Sequence, residues 1–406
     1  MRNLTAPIIF LSLLIFSEYF AFRGFRLFFS DRGARIFSWA WWLFFAFEIA
    51  LFILSRGWDN NLRNLVVNFI MILFIVKLVA ALTVFIGDAV VWVRSLLESF
   101  GSTSSGQGVS LSRRSFVSKM ALGISAIPLL SMTYGILRTA FDFKLHRETL
   151  RFPNFPDAFN GLKIVQISDI HTGSLINTHQ LEKAVDLILA EKPDIIVFTG
   201  DIVNNRTDEA WPYAKVLSRL KAPMGVYSVL GNHDYGDYET WATEEARQKN
   251  MDDMYRLHRE LGWELLLNES RSFEKDGQKW ALLGVENWGA NLHFPRYGKL
   301  KPALEQAADA PFKILLSHDP SHWNAEVNDG KTDIDLALAG HTHGFQFGVE
   351  IPGLKWSPSQ YIYPQWAGLY NKGKQLLYVN RGLGCLGYMG RIGIRPEITV
   401  LEFFKS

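Results

Sequence analysis

Cysteine is nearly absent from this chain of 406 residues: Cys385 stands alone. A single thiol excludes an intrachain disulfide, a four-cysteine zinc site and an iron–sulfur ligand set. Net charge is nearly absent too, at +2, which argues against a bulk nucleic-acid binder. No internal repeat is evident. Aromatic residues are plentiful at 14%, with 30 Phe and 13 Trp, so a disordered or collagen-like chain is excluded. The length suggests two or three domains.

The small net charge conceals a division. Residues 1–145 hold 14 Lys and Arg against 7 Asp and Glu, a net of +7. The remainder holds 28 against 33, a net of −5. Of the 30 Phe, 19 precede residue 145. An apolar, basic third therefore precedes an ordinary, slightly acidic globular part.

Crossing the hydrocarbon layer takes about 20 mostly apolar residues. Residues 4–22, 36–55 and 65–93 qualify, and 116–137 form a weaker fourth span rich in small residues. Arg23, Arg26, Arg32 and Arg35 fill the first connection against Asp31. Arg56 and Arg63 sit with Asp59 in the second. Arg94, Arg113, Arg114 and Lys119 fill the third against Glu98. By the positive-inside rule the first and third connections are cytoplasmic. Everything beyond about residue 140 is then expected outside the cytoplasm. Glu18, Glu48 and Lys77 lie inside apolar spans. Such groups are functional candidates, but a structural Glu–Lys pair within the bundle, or a Glu held neutral, is the favoured expectation, and no span has a transporter-like charge pattern.

The stretch Ser112-Arg113-Arg114-Ser115-Phe116-Val117-Ser118-Lys119 resembles the twin-arginine export motif, which implies export of a folded domain by that machinery. No A-x-A cleavage site follows, so a retained anchor is expected. The organisation read from these features is three transmembrane helices in 1–99, a Gly/Ser linker with the twin-arginine-like motif in 100–115, a fourth helix in 116–140 and a catalytic domain in 150–406.

From Gly161 the chain alternates strand and helix patterns. Strands are expected at 162–168, 194–199, 225–230, 280–285, 313–317, 335–339, 376–380 and 398–403, with helices at 178–191, 208–220 and 239–261. This alternation predicts an α/β domain behind an all-α bundle of four transmembrane helices. The chemistry follows the strands: Asp169-x-His171, Gly200-Asp201, Gly231-Asn232-His233-Asp234, His318, and Gly340-His341-Thr342-His343. Sites in open α/β sheets form beyond the carboxyl ends of strands. Imidazole, carboxylate and amide donors together suit a first-row metal such as Mn, Fe or Zn. In extended chain Asp169/His171 and His341/His343 would each point one way. The glycines before Asp201, Asn232 and His341 suit sharp turns or close backbone approach.

The ordered series D-x-H, G-D, G-N-H-D, H, G-H-x-H resembles the calcineurin-like metallophosphoesterase superfamily, over about Gly161–Phe403. The Gly-His-Thr-His-Gly block and the tail around Tyr378–Gly384 and Pro396–Ile398 are most similar to its membrane-anchored bacterial branch. Phe345 departs from that branch, which usually has glycine there. The resemblance implies two packed mixed sheets flanked by helices, and two divalent metal ions. It assigns Asp169, His171 and His343 to the first metal, Asn232, His318 and His341 to the second, and Asp201 as the bridging carboxylate. His233 would face the substrate and protonate the leaving group or hold a non-bridging oxygen, with Asp234 orienting it. A phosphoester, most simply a phosphodiester, would be hydrolysed by metal-activated hydroxide. Arg381, Arg391 and Arg395 are weaker candidates for neutralising phosphate. His146, His179, His258, His293 and His322 fit no block and are expected at the surface or behind the site. Cys385 is expected to be a buried or half-buried thiol without catalytic duty.

Residues 286–298 are expected to form a loop over the site. The segment 352–374 carries Trp356, Tyr361, Tyr363, Trp366 and Tyr370 with Lys355, Lys372 and Lys374. It is read either as packing over the second sheet or as a surface near the bilayer that admits a lipid-linked phosphoester. The function expected is thus a membrane-anchored phosphodiesterase, with a lipid-pyrophosphate or phospholipid-headgroup hydrolase as the alternative. A non-catalytic membrane sensor, or a transporter subunit using the fold as a binding module, is the reading from another class.

Overall fold

The computed structural model describes residues 5–58, 60–100, 111–290 and 294–406. The Gly/Ser linker at 101–108, Asp59 and His293 lie outside the described residues. The chain divides into two compact units, Met1–Tyr134 and Gly135–Ser406.

The first unit contains α1 (Thr5–Arg26), α2 (Asp31–Ser55), α3 (Asn60–Phe100) and most of α4 (Leu111–Leu137). All four are long and apolar enough to cross a membrane. Small residues let these helices approach: Ala21, Ala80 and Ala121 are buried together with Val84, as expected where lipid offers no hydrophobic drive. The expected Glu–Lys pair proves to be a triad. Lys77 Nζ lies 2.6 Å from Glu18 Oε1 and 2.7 Å from Glu48 Oε2, joining three helices at one buried point.

In the second unit, β1 (Lys144–Phe152) precedes β2 (Leu162–Ile167), α5 (Thr178–Ala190), β3 (Ile195–Phe198), α6 (Ala214–Leu217) and β4 (Val226–Ser228). Then come α7 (Glu244–Leu261), β5 (Glu264–Leu265), β6 (Glu269–Lys275), β7 (Gln278–Gly284), α8 (Leu300–Gln306), β8 (Lys313–Leu316) and β9 (Leu336–Ala339). The chain ends with β10 (Val349–Ile351), β11 (Leu354–Trp356), β12 (Gly368–Lys372), β13 (Gln375–Val379) and β14 (Glu397–Lys405). Two six-stranded mixed sheets result, ordered β1-β14-β2-β3-β4-β5 and β12-β13-β9-β8-β7-β6, with β10–β11 a separate hairpin.

Alternation along the strands builds three apolar layers. Ile164, Val197 and Leu401 of the first sheet meet Leu282, Ile314 and Leu338 of the second. Their neighbours Val165, Phe198 and Val400 face α5 and α7 through Leu181, Val185 and Leu257. On the outer face of the second sheet, Leu283, Leu315 and Leu377 cover Leu300 and Ala303 of α8. Each such side chain contributes roughly 1.5–3 kcal/mol on burial. The α/β expectation therefore holds, with both faces of both sheets covered.

Two helices differ from the sequence reading. The stretch expected as helix at 208–220 breaks into short 3-10 turns and the single α-turn α6, because Pro212 sits at the start of the turn Trp211–Tyr213 and cannot donate a backbone bond. The helix expected from residue 239 starts at Glu244, where Thr243 Oγ1 accepts from Ala246 N at 3.2 Å. The edge strand β1 was unexpected. Its apolar Leu150 and Phe152 are buried and it pairs in parallel with β14.

Candidate metal centre

β2, β3 and β4 run parallel, as do β7, β8 and β9. Their carboxyl ends carry all the motif residues, and the two sheets bring them together. His341 N donates to Asp169 Oδ1 at 3.0 Å, and His318 Nδ1 meets Thr199 O at 2.7 Å. Gly200 has φ +97°, and a Cβ there would lie 2.5 Å from Gly231 N. At Gly340 a Cβ would lie 1.9 Å from Ser168 Oγ and 2.3 Å from Asp169 Oδ2. Glycine is thus required for loops to cross this closely.

The extended geometry expected for the i, i+2 pairs is absent. Asp169, His171, Asp201, His341 and His343 all have positive φ, between 49° and 71°. Each left-handed non-glycine residue costs on the order of 1 kcal/mol. The chain bears this strain where the ligand-type residues converge. His343, Gly344, Phe345 and Gln346 continue it through a left-handed turn with φ 50–58°. Phe345 thus stands at a position whose backbone favours glycine, and its ring is 56% exposed.

Two buried groups of donor atoms emerge, Asp169 with His171 and His343, and Asp201 with His318 and His341. In the first, His343 Nε2 lies 3.3 Å from Asp169 Oδ1 and 3.0 Å from His171 Nε2. In the second, His318 Nε2 is 3.1 Å from Asp201 Oδ2 and 3.2 Å from Asn232 Oδ1, while His341 Nδ1 is 2.8 Å from Asn232 Oδ1. Asp201 Oδ2 is also 3.6 Å from His171 Nε2, so one carboxylate oxygen stands between the groups.

The electrostatics fit divalent cations. Burial lowers His171 to about 3 and His341 to about 4, and pushes His343 well below its ordinary value, leaving neutral imidazoles. Burial, with the Asp201 charge adding to it, lifts Asp169 to about 7. Burial also opposes ionisation of Asp201, yet His318 and then His233 hold its carboxyl well below the usual range. Burial alone would keep His318 neutral, but Asp201 raises it to about 10. A proton on His318 thus stands beside the Asp201 charge where a bound cation would stand instead. Backbone partners orient the rings: His171 Nδ1 meets Val203 O at 3.0 Å, which leaves Nε2 with its lone pair towards the cluster.

His233 lies at the rim, half-buried, with Nδ1 2.6 Å from Asn204 O. The expected Asp234–His233 pairing is not what the structure contains. Asp234 Oδ2 accepts from Asp201 N and Gly231 N at 2.9 Å each, and Oδ1 accepts from Ile202 N at 2.8 Å. These three donors, with Val203 N on Oδ1 at 3.4 Å, occupy the carboxylate and staple the Asp201 loop to the Asn232 loop. The arginine candidates are held by neighbours within the domain, and Arg391 Nη2 also reaches His343 Nδ1 at 3.5 Å. Arg381 pairs with Glu397 and Glu350, Arg391 donates to Gly382 O and Gly384 O, and Arg395 pairs with Asp142.

Other expectations resolve by packing. His258 and His322 are core residues against Ser228 and Ser317, at 2.9 and 2.8 Å, rather than surface groups. Cys385 is buried, which raises its thiol. The 286–298 loop reaches the cluster through Phe294, whose ring centroid is 4.8 Å from that of His341. Three groups were not anticipated at the site: Tyr363, whose hydroxyl is 2.7 Å from His341 Nε2; Tyr238, which accepts from Asn232 Nδ2 at 2.9 Å; and Asn204. The aromatic run containing Tyr363 was visible, but nothing local ties it to His341.

An α/β domain with two carboxylate–imidazole clusters at its strand ends is the frame of a metal-dependent hydrolase. The family comparisons agree with it. Residues 1–140 match "Probable Calcineurin-like phosphoesterase, transmembrane domain", and residues 162–345 match "Calcineurin-like phosphoesterase". The chain is 31% identical over 296 residues to "Uncharacterized metallophosphoesterase YkuE" of Bacillus subtilis, covering 71% of this chain and 96% of that protein. It is 28% identical over 298 residues to "Phosphodiesterase YaeI" of Escherichia coli, covering 72% and 99%. To the "Transmembrane protein with metallophosphoesterase domain" of Danio rerio it is 29% identical over 289 residues, covering 69% of this chain but 61% of that longer protein. The chain belongs to the calcineurin-like metallophosphoesterases, metal-dependent phosphoester hydrolases, and carries the family's four-helix transmembrane unit.

Proposed function

We propose that this protein is a binuclear metal-dependent phosphodiesterase whose catalytic domain works outside the cytoplasm. The observation that carries the reading is Asp201, with one oxygen between two buried donor groups. Asp169, His171 and His343 would hold one cation, Asn232, His318 and His341 the other, and Asp201 both. Mn, Fe or Zn suits this donor set. Two such cations supply an activated water and offset phosphoryl charge.

The protein's own groups do the rest. Neutral His171, His341 and His343 offer lone pairs at neutral pH. The Asp234 staple fixes the spacing of Asp201 and Asn232. His233, with Nδ1 on Asn204 O, turns Nε2 outward as the group that meets substrate and gives a proton to the leaving oxygen. The basic first and third connections support the extracytoplasmic placement. Arg113, Arg114 and Lys119 supply that positive flank whichever route exports the domain.

The test uses the full chain in lipid nanodiscs with bis-p-nitrophenyl phosphate. EDTA should abolish turnover and Mn²⁺ restore it. Asp201→Asn should lower kcat/KM by about 10³ or more, and His233→Ala by about 10²–10⁴. Retained activity in both variants would overturn the site. For placement, Glu274→Cys on intact cells should react with an impermeant maleimide; labelling only after lysis would reverse the topology.

A further inference from the structure

From β1 onward, ten large hydrophobic side chains are exposed among the described residues, and eight fall in the 25 residues from Phe345 to Leu369. Scattered exposed apolar groups are ordinary, but a concentration of this kind marks an interaction surface.

The β10–β11 hairpin at its centre is amphipathic in the inverted sense. Its register pairs Val349 with Trp356, Glu350 with Lys355 and Ile351 with Leu354. Directly paired residues share a face. The charged face turns onto the domain: Glu350 receives Arg381 at 2.5 Å, and Lys355 Nζ bonds Ala367 O and sits 4.9 Å over the Trp366 ring. The apolar face turns outward, with Ile351 59% and Leu354 50% exposed at the tip. Phe347 extends it against Trp356, their rings 6.1 Å apart, and Tyr361 is 75% exposed. A hairpin serving only its own fold would bury the apolar face.

We propose that this face enters the bilayer interface and that the enzyme's substrates are phosphoesters carried on lipid chains. The occupant follows from the rest of the chain. Four membrane-spanning helices keep a bilayer always beside the domain. Trp and Tyr flanking an aliphatic tip suit the headgroup region. The same segment is bolted to the metal centre. Tyr363 Oη meets His341 Nε2 at 2.7 Å, Thr342 Oγ1 donates to Trp366 O at 2.6 Å, and Ser357 Oγ donates to Gly344 O at 2.7 Å. A phosphoester lying at the interface is thereby offered to the cluster. This inference rests on the hydrolytic reading of the site given above.

The experiment uses full chain in nanodiscs, with a bimane label on Leu354→Cys and, as control, on Glu274→Cys. Doxyl-lipid should quench the label at 354 at least twofold and leave that at 274 unchanged. Two substrates of equal chemistry are compared, hexadecyl and methyl p-nitrophenyl phosphate. The native chain should prefer the hexadecyl ester by about tenfold or more in kcat/KM. Ile351→Ser/Leu354→Ser should bring the ratio near one while methyl-ester turnover stays within about twofold. No quenching at 354, or a ratio unmoved by the double variant, would overturn the proposal. A label shielded from water but not quenched by lipid would assign the face to a protein partner and overturn it equally. Loss of methyl-ester turnover in the native chain would instead indict the reading of the metal centre.

Discussion

Replacing Asp234 with Asn separates two accounts of this residue. In the structure its carboxylate accepts four buried backbone N–H groups, from Asp201, Ile202 and Gly231 at 2.8–2.9 Å and from Val203 at 3.4 Å. An amide presents one oxygen and one NH₂. Whichever way it turns, at least one backbone donor faces another donor and loses its partner. A buried unsatisfied group costs about 1–3 kcal/mol. That cost falls on the spacing of Asp201 and Asn232. Apparent Mn²⁺ affinity should therefore weaken by roughly 5- to 100-fold, since 1.4 kcal/mol is tenfold. Metal titration of the EDTA-stripped full chain, read by intrinsic fluorescence and by turnover, measures it. At saturating Mn²⁺ most of kcat should return, and the pH profile should keep its native limbs. Had Asp234 served to orient His233, kcat would stay depressed at saturating metal, with the His-dependent limb displaced. Unchanged metal affinity together with a kcat that metal does not restore would refute the staple.

Other perturbations are equally definite. Gly340→Ala should lower Mn²⁺-dependent turnover at least about 100-fold, because its Cβ would meet Asp169 Oδ2 at 2.3 Å. Gly277→Ala, whose Cβ would meet nothing within 4 Å, should leave turnover unchanged and, at φ +72°, cost only about 1 kcal/mol of stability. Glu397 is fully buried, and although burial raises it, Arg381, His146 and two hydroxyls hold it at about 2 against an ordinary 4.5. A carboxyl depressed in the folded state stabilises above its unfolded pKa, here by about 3 kcal/mol, and loses this as pH falls from about 4.5 through 2. Thermal unfolding between pH 7 and 3 should show that acid limb, and Glu397→Gln should flatten it. In the membrane unit, Lys77→Met leaves Glu18 and Glu48 without their ammonium and should cost about 3–5 kcal/mol. Thermal denaturation in detergent would show the loss, and Glu18→Gln/Glu48→Gln added to it should recover most of the stability. A Lys77→Met chain as stable as the native one would dismiss the triad.

Much of the architecture was legible because it follows from local chemistry. Spans reveal themselves through composition, and buried parallel strands such as Ile195–Phe198 through short apolar runs ended by glycine. The motif residues were legible by their position after strands. Where the reading went astray, a local rule met a stronger constraint. Pro212 broke a helix-like stretch, and crossing loops forced five ligand-type residues into left-handed backbone in place of extended chain. The arginines after β13 looked available for phosphate, but carboxylates and backbone carbonyls hold them, and Arg391 also backs His343.

By itself, then, the sequence determined a membrane anchor, an α/β domain and a set of Asp, Asn and His side chains at strand ends, since these depend on residue type, period and order. The tertiary structure alone decided which of those side chains meet. It set Asp201 between two clusters, gave Asp234 to the backbone rather than to His233, and brought Tyr363 to His341. It also turned the apolar face of a hairpin outward, where the one-dimensional pattern read first as packing over the second sheet. Those are contacts between segments tens to hundreds of residues apart, and they follow from how two sheets pack rather than from any neighbouring residue.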